Sequence, residues 1–316
     1  MLQSMPAIGR TILLLLFYSG VSLADDWQRI HSFNQTAMAV VTVSGDGTLL
    51  VAGYEGGPLF RSSDGGQEWT ETASGAGSWS AIASSGDGRI TIAQRWTDGM
   101  LISTNHGMNW SQIHGIPNAE WNGLAAAFDG VTWFASTNNP NAVYSSTDGG
   151  MSWDKCLSAP NISVDDYWVG VACSYDCSVV YSGTANGLVY GSFNGGHTWT
   201  LRKNLAYPLS SIAASQDGSR VITDVYQGTL YLSSDFASTF FPTQAPINAW
   251  EVLSATSDCS RVYASDDSSN IWSFTGLFLR LPETNGPLKM RITTTVQSSS
   301  RVTNRLVSYG LTYESV

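Results

Sequence analysis

The chain has 316 residues with 25 Asp and Glu against 15 Lys and Arg, a formal net charge of -10 and only 13% charged residues. This balance excludes a nucleic-acid binder that works through a basic surface. With 43% hydrophobic residues the chain can bury a large core, which excludes a charge-rich disordered protein. The 31 Gly, 12 Trp and 13 Tyr residues favour many short strands and tight turns, so we expect a single all-β domain.

Residues 1–24 have the features of a secretory signal peptide. Arg10 is the only charge, an apolar run covers residues 11–18, and residues 22–24 form a small-x-small cleavage site. The apolar run is much shorter than the roughly 20 residues that a membrane-spanning helix needs. We therefore expect cleavage after Ala24, no membrane span in the mature chain, and a secreted protein that is extracellular or, in a bacterium, periplasmic. The alternative is retention as a membrane anchor.

The four cysteines are an even number in a chain that we expect to be exported, and none has a zinc-type spacing. Cys173 and Cys177 flank three residues between two strand-like runs, so they can face each other across a hairpin. We predict a disulfide between them, while Cys156 and Cys259 either pair or stay free. The sequence contains no metal-ligand spacing, P-loop or dinucleotide fingerprint, so we predict no metal site and no cofactor.

The pattern S-x-D-x-G-x-x-W recurs along the chain, with Asn replacing Asp in two copies. Five copies, the last of them degenerate, begin at Ser62, Ser103, Ser146, Ser192 and Ser233. Their final aromatic residues are 41 to 46 residues apart, which is the length of a four-stranded propeller blade. An Asp-Gly or Asp-Cys pair marks a hairpin turn elsewhere in each unit, and a large apolar residue precedes that Asp by eight positions. Each unit therefore predicts strands A, B, C and D, with the Asp-Gly turn between A and B and the S-x-D-x-G-x-x-W turn between C and D.

Six such units run from Met38 to about Leu281. The C-terminal residues 290–302 align with residues 250–262, and residues 27–30 resemble the strands that follow the S-x-D-x-G-x-x-W turns. We therefore expect a seven-bladed β-propeller over residues 25–316, in which the N-terminal strand closes a last blade built by the C-terminal segment. Six blades, with the C-terminal segment as a cover, is the alternative.

The S-x-D-x-G-x-x-W turns resemble the Asp-box, or BNR, repeats of the sialidase-type propeller superfamily, and the resemblance covers essentially all of residues 25–316. It implies that the turns are structural and lie at the blade periphery, away from any site. A sialidase would also carry an arginine triad and an Arg-Ile-Pro segment, and this chain has no Arg-Ile-Pro. The resemblance is therefore to a non-sialidase member. The superfamily includes glycoside hydrolases, sorting-receptor ectodomains and assembly factors, so the fold does not decide the function.

In a propeller the starts of the A strands and the B–C loops share one face, which we call the strand-A face. The resemblance and the repeat register together place aromatic, acidic and amide side chains on it. The predicted ligand-binding residues are Trp79, Trp96, Trp121, Trp168, Trp250, Glu55, Arg95 and Tyr167. Aromatic rings with carboxylates suit a glycan or a peptide segment. The alternative for the tryptophans that open the A strands is packing between neighbouring blades.

The sequence thus predicts a secreted, non-catalytic binding or interaction propeller that recognises a glycan or a protein partner. The alternative is a carbohydrate-active enzyme that uses a pair of carboxyl groups on the strand-A face. No feature of the sequence selects two of the candidates, which are Glu55, Asp98, Asp165, Asp166, Asp266 and Asp267.

Overall fold

The computed structural model describes residues 27–35, 37–96, 99–156 and 166–275, and the backbone of residues 289–296 and 307–314. The predicted signal peptide, Asp98 and Asp165 lie outside the described residues. The chain divides into two compact units, Met1–Leu277 and Phe278–Val316. No helix among the described residues has the length and apolarity needed to cross a membrane.

The described part of the first unit consists of six four-stranded antiparallel sheets arranged as propeller blades. The chain begins with β1, Gln28–Ser32, and then forms five blades, each from four consecutive strands. Blade 1 contains β2 Ala39–Val43, β3 Leu50–Tyr54, β4 Leu59–Ser62 and β5 Thr70–Glu71. Blade 2 contains β6 Trp79–Ser84, β7 Thr91–Arg95, β8 Gly99–Ser103 and β9 Ser111–Gln112. Blade 3 contains β10 Trp121–Ala126, β11 Trp133–Thr137, β12 Ala142–Ser146 and β13 Asp154–Lys155.

The next two blades repeat this order. Blade 4 contains β14 Trp168–Cys173, β15 Val180–Thr184, β16 Leu188–Ser192 and β17 Thr200–Asn204. Blade 5 contains β18 Ile212–Ala214, β19 Val221–Asp224, β20 Leu230–Ser233 and β21 Phe241–Pro242. The inner strands are almost wholly buried, whereas most residues of the outer strands are exposed, because only the inner strands pack against both neighbouring blades.

Blade 6 is closed by the N-terminal strand. It contains β22 Trp250–Ala255, β23 Arg261–Asp266 and β24 Asn270–Thr275, and β1 pairs with the outer edge of β24, from Gln28 opposite Ser273 to Ser32 opposite Asn270. The C-terminal strands β25, Lys289–Val296, and β26, Val307–Glu314, pair with each other as a separate two-stranded sheet. The predicted seventh blade is therefore wrong, and so is the predicted pairing of the N-terminal strand with the C-terminal segment.

A closed ring of backbone hydrogen bonds explains why the propeller has six blades. In each blade the residue before the Asp of the A–B turn donates its amide to the carbonyl of the equivalent residue in the next blade, over 2.7 to 2.9 Å. In order, these residues are Gly45, Gly86, Phe128, Tyr175, Gln216 and Ser257, and the Ser257 amide donates to the Gly45 carbonyl. The ring, which we call the turn ring, returns to blade 1 after six members, so it leaves no place for another blade.

The repeated turns use their own polar groups. In the A–B turn of blade 1, the Ser44 hydroxyl donates to the Asp46 carboxylate over 2.6 Å, and that carboxylate accepts the Thr48 amide over 3.0 Å. In the S-x-D-x-G-x-x-W turn of the same blade, the Asp64 carboxylate accepts the amides of Gln67 and Glu68, each over 3.0 Å. These carboxylates hold turns together, so the face that carries them offers few free polar groups.

The predicted disulfide between Cys173 and Cys177 is confirmed, with a Cα–Cα distance of 4.8 Å. Cys173 ends β14. Cys177 lies in the A–B turn of blade 4 in the left-handed conformation, with φ of 54°, at the position that Gly47 occupies in blade 1. Cys156 and Cys259 are free thiols.

Candidate functional site

A cavity of about 420 Å³ lies at the strand-A face, where the A strands of all six blades converge. Its wall consists of the first residues of each A strand, and its mouth is formed by loop residues of the blades. We call it the axial cavity. Its volume is at the lower end of the range for small-ligand pockets.

A β-bulge at the start of the A strands decides which side chains face this cavity. The pairing of strands A and B shifts register directly after the tryptophans at positions 79, 121, 168 and 250. The extra residue of such a bulge is left without a partner and is turned away from the regular alternation. Ser80, Asn122, Val169 and Glu251, which follow these tryptophans, accordingly line the axial cavity.

The tryptophans themselves pack between blades. Trp79, Trp121, Trp168 and Trp250 are at most 1% exposed, and none of them lines the axial cavity. Trp121 of blade 3, for example, packs in one cluster with Ile92 and Met100 of blade 2. These four tryptophans therefore occupy the position given above as the alternative, packing between neighbouring blades, because indoles buried in the blade core have no face left for a ligand.

The remaining predicted residues separate into two groups. Trp96 and Tyr167 line the mouth of the axial cavity and are 45% and 41% exposed. Arg95 instead donates to the Ser74 carbonyl over 2.6 Å and stacks over the Trp79 ring at 4.8 Å, and the exposed Glu55 is not among the cavity-lining residues. The structure thus brings together two of the eight predicted residues.

Tyr226 adds a third aromatic ring to the mouth. It lies in the B–C loop of blade 5, is 50% exposed and lines the same cavity as Trp96 and Tyr167. We call these three side chains the aromatic rim. Half-exposed aromatic side chains gathered at one opening are typical of a binding surface, since solvent gives them no favourable environment.

Glu251 is the one carboxylate among the described residues that line the axial cavity. Burial, together with the negative charges of Asp224, Asp267 and Asp266, raises the pKa of Glu251 to about 7. The neighbouring strands β2 and β18 carry no titratable side chain. Sequence reasoning did not select Glu251, although the repeat contains the signal: this position is Ala39, Ser80, Asn122, Val169 and Ser210 in the other blades, and only blade 6 has a charge there.

The other carboxylates near the mouth serve their own loops. Asp224 is fully buried and accepts the amides of Ser210 and Ser211 over 3.0 and 2.7 Å, and its burial raises its pKa to about 7. The Asp266 carboxylate accepts the Trp272 indole N–H over 2.8 Å and further donors from two asparagines. Burial opposes ionisation of Asp266, but these hydrogen bonds outweigh it and lower the pKa.

Asp166 also has a structural environment, because it accepts the amides of Tyr167 and Asn186 over 2.9 and 3.0 Å. Within the described part of the chain no group of three or more His, Cys, Asp or Glu side chains is arranged to hold a metal ion. The chemistry available in the axial cavity is therefore one carboxylate, a few neutral polar groups, apolar walls and an aromatic rim.

The sequence matches no protein-family model and no curated protein. Its fold is similar to that of YCF48 from Cyanidioschyzon merolae, with a TM-score of 0.53 and 13% identity, over 79% of this chain and 98% of that one. A structure described as YCF48 bound to D1 peptide gives a TM-score of 0.53 and 15% identity, over 79% and 97% of the two chains. The GH74 enzyme of Niastella koreensis gives a TM-score of 0.51 and 19% identity, over 74% of this chain but 36% of the enzyme. At these identities the similarity shows a β-propeller fold and nothing more.

Proposed function

We propose that this chain is a secreted, non-catalytic binding propeller of the Asp-box type, and that the axial cavity takes a peptide segment of a protein partner. The observation that carries the proposal is the aromatic rim, whose three half-exposed rings surround one cavity. A cavity of about 420 Å³ has room for one or two side chains, so the backbone of the segment would lie across the rim.

One of the solved structures of similar fold supports a peptide as the ligand. YCF48 has been captured with a D1 peptide, so a propeller of similar fold is able to hold a peptide. Aromatic rings at a protein–protein contact contribute large apolar area with little loss of conformational entropy, which makes them the usual anchors of such contacts.

The test is selection from a random peptide library on the mature protein, with a glycan array run in parallel. Trp96→Ala should lower the affinity for the selected peptides by roughly tenfold or more, because an exposed aromatic anchor is lost. Phe241→Ala is the matched control, since Phe241 is 62% exposed on β21 and does not line the axial cavity. Equal binding by the Trp96 and Phe241 variants would rule out the aromatic rim as the binding surface, and retention of glycans alone would refute the peptide assignment.

A glycoside hydrolase is the second candidate, and one observation favours it. A carboxylic acid with a pKa of about 7, such as Glu251, is suited to general acid catalysis near neutral pH. A glycosidase also needs a second carboxyl group across the cleft, and no described residue supplies another one to the axial cavity. Hydrolysis of compounds in a broad oligosaccharide panel that disappears in Glu251→Gln would establish this candidate in place of the first.

A further inference from the structure

We infer that the peptide enters the axial cavity with a lysine or arginine side chain, whose cationic end pairs with Glu251. This inference rests on the proposed peptide-binding function and specifies the chemistry that the site recognises.

The described lining of the axial cavity contains no Lys, Arg or His residue. The carboxylate of Glu251 accepts no hydrogen bond from a described residue, and no described cation forms an ion pair with it. Asn122 lies on the opposite blade, where its amide nitrogen donates to the Trp168 carbonyl over 3.0 Å. No described residue donates a hydrogen bond to its side-chain oxygen, so Asn122 adds one neutral acceptor to the wall opposite Glu251.

The surrounding charges favour a cation further. Asp224, Asp266 and Asp267 act on Glu251 from blades 5 and 6, and the strands β2 and β18 beside β22 contribute no titratable group. A half-buried carboxylate without a partner is held at a cost, because water solvates it less than it would in the open. A bound ammonium or guanidinium group would replace the missing solvation and lower the mutual repulsion of these four carboxyl groups.

The shape and walls of the cavity select a long side chain. Its walls include Val40, Val171 and Leu253, which suit an aliphatic stem, and the aromatic rim offers ring faces that attract a cation at the entrance. Lysine and arginine combine such a stem with a terminal charge. A neutral sugar would satisfy the acceptors but would leave the carboxylate without a counter-charge.

The experiment uses three synthetic peptides that differ at one central residue, which is Lys, norleucine or Glu, in a sequence selected from the random library. Binding is measured by isothermal titration calorimetry on the mature protein. The Lys peptide should bind roughly 30-fold or more tightly than the norleucine peptide, because one partner of a largely desolvated charge pair is missing from the latter. Glu251→Gln should remove this difference, and Glu251→Asp should restore part of it.

Glu71→Gln is the matched control, because Glu71 is exposed on the outer strand β5 and its loss changes the net charge equally. Thermal melting of each variant shows whether the fold is retained. The Lys peptide should also bind roughly tenfold or more tightly at pH 7.5 than at pH 5.5, since Glu251 must lose its proton first, whereas the norleucine peptide should not. Of the groups that face Glu251, Asp224 also titrates near neutral pH, so the profile is repeated in Asp224→Asn.

The outcomes separate the two proposals. The cation inference would be overturned if peptides bind through Trp96 without preference for a basic residue, or if such a preference survives in Glu251→Gln. Either result would leave the peptide-binding function standing. A library that yields no binding peptide would overturn both. Selection of acidic peptides would contradict the cation inference directly.

Discussion

Asp224 makes the stability of the propeller depend on pH in an unusual direction. Its carboxyl group is fully buried on β19, and burial raises its pKa from 3.8 to about 7. An acid whose pKa is higher in the folded than in the unfolded chain binds more protons in the folded state between the two values. The free energy of unfolding should therefore fall as pH rises from about 4 to about 7, and stay low above that.

The size of the effect follows from the shift. Each pKa unit corresponds to about 1.4 kcal/mol, so a rise from 3.8 to about 7 gives an upper limit of roughly 4 kcal/mol. Asp224→Asn removes the ionisation but keeps an oxygen that can accept the amides of Ser210 and Ser211. We expect the variant to match the wild type near pH 4 and to be about 1 to 4 kcal/mol more stable at pH 8.

The measurement is urea unfolding of both proteins between pH 4 and pH 8, followed by tryptophan fluorescence. The aspartates of the turns change the stability in the opposite direction, because hydrogen bonds lower their pKa. Hydrogen bonds from Ser152 and Ser146, for example, lower the pKa of Asp148 to about 2. Stability from those groups is lost only as pH falls below about 4, and it cancels in the difference between the two proteins. A difference that does not change with pH, or a variant that is less stable at pH 8, would refute the reasoning.

Three further predictions follow from the packing. Trp121→Ala should lower the free energy of unfolding by about 3 to 5 kcal/mol, whereas Trp96→Ala should change it by about 0.5 kcal/mol or less while weakening peptide binding. Urea unfolding measures both free energies, and equal losses in the two variants would contradict the assignment of Trp121 to the core and Trp96 to the aromatic rim. Deletion of residues 27–33 should lower the melting temperature by several degrees and promote aggregation, because β24 would expose its edge; unchanged melting would show that β1 does not close blade 6. Gly86→Ala should cost about 1 to 3 kcal/mol, because a Cβ there would overlap the ring of Phe128, and full stability in chemical unfolding would speak against a tight turn ring.

The sequence located the strands well because each blade repeats the same local turns. An Asp at a fixed place in a turn, followed by a residue in the left-handed conformation, sets the strand ends without help from distant residues. Blade number is decided differently. The sixth unit has no S-x-D-x-G-x-x-W turn after β24, and the strand that replaces its missing outer strand lies some 240 residues earlier in the chain. Residues 27–30 carry the local pattern of an outer strand, but this pattern does not specify which blade the strand completes, so the sequence predicts its pairing with the C-terminal segment and not with β24.

The candidate site was predicted in part for a similar reason. Trp96 and Tyr167 lie in loops, outside the repeated core positions, and their exposure could be expected from that fact alone. The tryptophans of the A strands occupy repeated positions, but which way they point depends on a bulge that shifts the alternation by one residue. That bulge turns Glu251 to the axial cavity and Trp250 into the core, and neither outcome can be deduced from apolar spacing.

The turn ring has a kinetic consequence, because a cyclic series of hydrogen bonds has no first or last member. An open row of blades would leave one amide and one carbonyl exposed at its ends, whereas here every amide of the series is donated to a neighbour. The amide of Ser257 reaches solvent only if blades 6 and 1 separate, although more than 200 residues lie between the two bonded groups. We therefore expect the six amides to exchange with deuterium at one common, slow rate that reports the opening of the whole circle, while the amides of the outer strands exchange independently and much faster.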